Sequence, residues 1–160
     1  MIAEYIKRKY QQNYYKWSER KKINFLANQI KKKRNLLTNF EFKNKENEEV
    51  WSTFKTISKQ PDECLGAYVI SMTSSISDIV TVSFLQKEAQ IKNKLRVVPL
   101  FETLDDLINS KAIMNSLFQE KWYRKLINNK QEVMIGYSDS SKDACLLYTS
   151  QSPRDLAQSR

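Results

Sequence analysis

The chain has 160 residues, 41% hydrophobic and 28% charged, with two Gly and three Pro. That supports one core but leaves too little Gly and Pro for a collagen-like repeat, a disordered tract or a many-turned β-sandwich. The formal charge is +9, and residues 1–34 hold eleven Lys or Arg against Glu4 and Glu19, so the whole excess is N-terminal. With no His in the chain, every His-based triad and His metal site is removed. Cys64 and Cys145 alone make neither a disulfide framework nor a zinc site, so a reducing compartment is the default. No apolar run reaches bilayer length, and residues 1–6 lack the apolar core of a secretory signal, so the chain reads as soluble and, by default, cytoplasmic.

Residues 3–17 are basic, rich in Tyr and weakly patterned for helix. Cations interleaved with Tyr5, Tyr10, Tyr14, Tyr15 and Trp17 are the ingredients of a nucleic-acid surface, although their spacing follows no recognised module. The competing reading is a packed helix pair with a solvated basic face. Ser18 can cap a following helix, Glu19 suits its first turn, and Ile23, Leu26 and Ile30 share a face. Lys31 to Arg34 suit its C-terminal end.

After a polar connection over 35–45, Glu46 to Ser58 reads as a helix with Val50, Phe54 and Ile57 at helical spacing, stopped by Pro61. Residues 61–66 form a turn in which Cys64 is a small residue. Residues 67–72 are β-branched and aromatic enough for a strand. Ser77 or Asp78 can cap a helix through Ala89, although Val80, Thr81 and Val82 also accept a strand. Residues 96–101 read as a second strand and 132–137 as a third. Between them, residues 103–128 hold two short helical stretches carrying Leu107, Ile108, Met114, Leu117, Phe118 and Trp122. Alternation of apolar strands with helices predicts an α/β chain with a parallel sheet, which barrels and doubly wound sheets both satisfy.

Two strand-like runs end abruptly in carboxylates, Glu102 after the second and Asp139 after the third. Oxygen ligands at neighbouring strand ends can converge on Mg²⁺ or Mn²⁺, and an acidic residue after a strand can equally cap the next helix. Lys142 can bring an ammonium to the same place and stabilise developing negative charge, or lie in a surface pair with Asp143. Ser138 and Ser140 have no His to activate them.

The runs Gly66 to Met72, Arg96 to Glu102, Trp122-Tyr123 and Lys130 to Ala144 resemble consecutive blocks of the phosphoenolpyruvate carboxylase family. The likeness is dense over residues 47–144 and thins towards Tyr15; the Tyr137-Ser-Asp-Ser-Ser-Lys-Asp143 block is its most specific part. The resemblance implies a partial (β/α)₈ TIM-type barrel with an added helical layer: helices over 1–60, then barrel strands over 61–144. It further implies carboxylation of phosphoenolpyruvate with bicarbonate to oxaloacetate and phosphate, with Mg²⁺ or Mn²⁺, feeding the tricarboxylic acid cycle in the cytoplasm. By resemblance Glu102 and Asp139 bind the metal, Lys142 is the catalytic lysine, and Met134 lines a hydrophobic pocket that shields the intermediate. The family implies a homo-oligomer, a tetramer, with no nucleic acid or membrane partner. Its catalytic His and phosphate-binding arginines fall outside these residues, so the chain alone is expected to be inactive.

The likeness breaks after Ala144, where the family has Gly and this chain has Cys145. Cys145 to Ser150 is the translation of TGTCTCTTATACACATCT, which resembles a transposase library adapter, so residues 145–160 are expected not to be native.

Overall fold

The computed structural model describes residues 1–136. Their order is α1 (Ile2–Tyr10), α2 (Glu19–Lys31), α3 (Lys45–Ile57), β1 (Ala67–Ile70), α4 (Ile76–Glu88), β2 (Arg96–Phe101), α5 (Leu104–Gln119), α6 (Lys121–Leu126) and β3 (Met134–Ile135). The three strands make one parallel sheet in the order β1-β2-β3, so the α/β reading holds. β2 pairs with β1 through Arg96 to Pro99 and with β3 through Leu100 and Phe101. Pro99 has no N–H to give, and it stands where β2 changes partner.

Each helix start has a local cause. The Ser18 hydroxyl accepts the Lys21 N–H, as its sequence predicts, and Asn44 and Thr103 accept the N–H three residues on in α3 and α5. Asn44 thereby starts α3 before Glu46. α4 is capped earlier than Ser77: Ser75 and Asp78 form a reciprocal capping box, with the Asp78 carboxylate accepting Ser75 N–H at 2.9 Å. The N-terminal stretch is not one helix. Gln11 turns left-handed with φ 54°, and the chain re-forms as a 3-10 turn over Tyr14–Lys16.

α4 decides how the layers meet. Ile76, Ile79, Val80, Val82, Phe84 and Leu85 are all buried, which places apolar side chains around the whole helix. Such a helix must be covered on several sides, here by α2 and by the sheet at β2, and that enclosure overrides the strand propensity of Val80-Thr81-Val82. Glu19 reaches across from α2 and accepts the Ser77 N–H at 2.6 Å and its hydroxyl at 3.0 Å, fastening the start of α4.

The face of α3 differs from the periodicity reading. Trp51 and Phe54 are buried while Val50 is exposed, because Trp51 meets Phe42 edge-on at 6.3 Å between ring centroids. Similarly, Leu117 and Ile113 carry the buried face of α5, whereas Ile108 and Phe118 are exposed. The terminal strands are shorter than expected, β1 ending at Ile70 and β3 covering two residues.

Candidate functional site at the carboxyl edge of the sheet

Parallel pairing puts the carboxyl ends of β1, β2 and β3 on one edge. In α/β sheets that edge, with its polar loop residues, is where ligands are bound. Glu102 follows β2 immediately and is half-buried there. Gly136, the first residue after β3, donates its N–H to the Phe101 carbonyl at 3.1 Å, so the chain leaving β3 starts beside Glu102. Asp139 and Lys142 are three and six residues further on and lie outside the described residues, as does the 145–160 segment.

Two readings of Glu102 were open, metal ligand or helix cap. The cap of α5 is Thr103: its hydroxyl accepts Asp106 N–H at 3.1 Å, and the Asp106 carboxylate returns the contact to Thr103 N–H at 3.2 Å. Glu102 is thus outside the capping box. Its Oε2 instead accepts the backbone N–H of Met72, at 3.2 Å, from the loop after β1. The carboxylate thus reaches across to the neighbouring strand end, and it is a hard oxygen donor of the kind Mg²⁺ and Mn²⁺ take. Among the described residues no group of three or more His, Cys, Asp or Glu gathers as a metal cage. A Mg²⁺ site of one or two carboxylates completed by water and substrate oxygens does not require one.

The loop after β1 was not singled out from the sequence. Thr73 is completely buried, donates its N–H to the Leu100 carbonyl at 3.4 Å and its hydroxyl to the Ile70 carbonyl at 3.2 Å. Nothing in Ser71-Met72-Thr73 as composition signals that its backbone serves the neighbouring strand. Met134 lies on β3, paired with Leu100, and is 44% exposed.

The basic arm is used inside the fold. Tyr5 and Tyr14 are buried, and Tyr5 meets Phe40 edge-on at 5.2 Å. The Arg8 guanidinium lies over Phe40 at 4.6 Å and the Lys21 ammonium over Trp17 at 4.1 Å, contacts that cations make with aromatic faces. Tyr10 and Tyr15 are exposed.

The family model described as phosphoenolpyruvate carboxylase matches residues 1–152. A phosphoenolpyruvate carboxylase of Acinetobacter baumannii is 47% identical over 139 residues, which is 82% of this chain and 16% of that protein. The C4 phosphoenolpyruvate carboxylase of Flaveria trinervia is 48% identical, and phosphoenolpyruvate carboxylase 3 of Arabidopsis thaliana 49% identical, each over 132 residues covering 82% of this chain and 14% of the relative. The chain therefore spans only about one seventh of the length of these relatives.

Proposed function

The chain belongs to the phosphoenolpyruvate carboxylase family, and from that premise we propose that it is the part of such an enzyme that brings Glu102 and Asp139 to a divalent metal beside the substrate. The observation that supports this is the position of Glu102: at the carboxyl edge of a parallel sheet, outside the capping box of the helix that follows it. In this reading the sheet is three strands of a (β/α)₈ barrel and α1 to α3 belong to an outer helical layer. The complete enzyme joins phosphoenolpyruvate and bicarbonate into oxaloacetate and phosphate in the cytoplasm, as a tetramer.

Mg²⁺ or Mn²⁺ held by the two carboxylates would supply positive charge for the phosphoenolpyruvate oxygens and for the enolate they become. Glu102 and Asp139 contribute the negative charge that retains the cation. Lys142 would supply an ammonium that stabilises the developing oxyanion. Met134 offers an apolar side chain near the same edge, which keeps water from an enolate that a proton would quench. This chain by itself turns over nothing, because it contains no His to serve as the family's catalytic histidine.

The test is a titration of activity against Mg²⁺ in the complete enzyme for Glu102→Gln, Asp139→Asn and Asp105→Asn. Asp105 lies in the first turn of α5 and is the control. The first two variants are expected to lose most turnover and to need more Mg²⁺, while the third stays near wild type. Three equally mild variants with unmoved Mg²⁺ dependence would reject the site.

A further inference from the structure

Met72 has φ 50°, in the left-handed region that non-glycine residues seldom occupy. For an L-residue that conformation is unfavourable, because it brings Cβ too close to the following carbonyl oxygen. Burial of its side chain does not offset the cost, because Met72 is 73% exposed. The surroundings impose it instead. On one side β1 ends at Ile70; on the other, buried Thr73 is tied to Ile70 by its hydroxyl and to Leu100 by its N–H, and Ser74 and Ser75 donate their N–H groups to the Asp78 carboxylate at 3.2 and 2.9 Å. Fixed at both ends, the residue between has one polar group that leaves the loop for the neighbouring strand end, its N–H to Glu102 Oε2. Strain kept in an over-determined loop is characteristic of backbone that serves a site.

We propose that Met72 is a positioning residue for Glu102: its left-handed backbone, rather than its side chain, aims the Met72 N–H at Oε2 and sets how the carboxylate presents itself at the carboxyl edge. This rests on the reading of Glu102 as a metal ligand and adds what orients it. Groups that hold a ligating carboxylate by hydrogen bonds matter to the metal about tenfold or more in affinity when removed.

The test measures Mn²⁺ affinity of the metal-stripped complete enzyme by paramagnetic resonance of the free ion, alongside the melting temperature. Met72→Gly and Met72→Asn remove the side chain but accept a positive φ, and are expected to bind Mn²⁺ within about twofold of wild type. Met72→Val, β-branched and unsuited to that region, is expected to bind about tenfold more weakly. Should the valine variant not fold, Thr73→Val, which removes the hydroxyl anchor, takes its place with the same expected loss. Weak binding by the glycine and asparagine variants would overturn the proposal by assigning the effect to the side chain. So would a valine variant, or its Thr73 substitute, that melts lower with unaltered Mn²⁺ affinity, the signature of a purely structural turn. Glu102→Gln is measured beside them. If it too binds normally, the ligand reading itself fails; if it binds weakly while the valine variant or its Thr73 substitute binds normally, only the positioning fails.

Discussion

Glu88 shows how one buried charge can organise a connection. Its side chain is fully buried at the end of α4, accepts the backbone N–H groups of Leu36 and Leu37, the latter at 2.7 Å, and pairs with the Lys87 ammonium at 2.9 Å. A carboxylate out of water is retained only when paired and hydrogen-bonded, and here both conditions are met by a loop 51 and 52 residues away in sequence. Truncation would leave two amide groups without their acceptor, each costing about 1–3 kcal/mol. For Glu88→Ala, amide exchange at Leu36 and Leu37 in the complete enzyme is therefore expected to quicken by about tenfold or more. Glu88→Gln, which keeps one acceptor oxygen, falls between. Unchanged exchange in the alanine variant would show that the carboxylate does not hold the loop.

At the scale of the element, α1 is docked by a polar clasp as well as by Tyr5 and Ile6. Glu4 accepts the Lys43 N–H at 2.6 Å and the Asn47 amide at 2.8 Å, joining α1 to the start of α3. Partial burial pushes the Glu4 carboxyl up, but the hydrogen bonds from Lys43, Asn47 and Asn44 together with Arg8 outweigh it and leave it below the usual value. A carboxyl lowered by folding adds stability that is fully present above its unfolded pKa and disappears as pH falls through its folded one. Protection of α1 amides in the complete enzyme, corrected for intrinsic exchange, is thus expected to fall as the medium is acidified through the carboxylate range. Glu4→Gln should start lower and lose that part of the pH dependence. Parallel pH curves for the two proteins would remove Glu4 as the cause.

For the whole molecule, the decisive feature is the apolar surface left around the three strands. Val69, Val133, Met134 and Ile135 are each more than 40% exposed, and β3 pairs on one side only among the described residues. Unpaired strand edges and clustered exposed apolar side chains invite association with other chains. In the barrel proposed above, neighbouring strands would cover them. Expressed alone, the 160-residue chain is expected to aggregate or to bind a hydrophobic dye strongly. A soluble monomer with a sharp, reversible two-state melt and little dye binding would identify residues 1–144 as a self-sufficient unit.

Local chemistry alone determined where most elements lie. Ser18, the alternation of apolar strands with helices, and Pro61 beyond α3 act within a few residues, so they are legible one segment at a time. The family motifs likewise carried Glu102 as a candidate without any fold in hand. What pairs distant residues was not legible: Trp51 rather than Val50 faces inward because Phe42 is there to meet it, and α4 is helical through Val80-Thr81-Val82 because α2 and β2 enclose it. The separation of Glu102 from the cap at Thr103 also needed coordinates, since two adjacent polar residues before a helix are equivalent until their hydrogen bonds are drawn. The left-handed Met72 is the extreme case, a residue whose own type disfavours the conformation that buried Thr73 and two strand ends impose on it. Sequence determines what a segment prefers; only tertiary structure decides which preferences are overruled, because the overruling contacts come from residues far away in the chain.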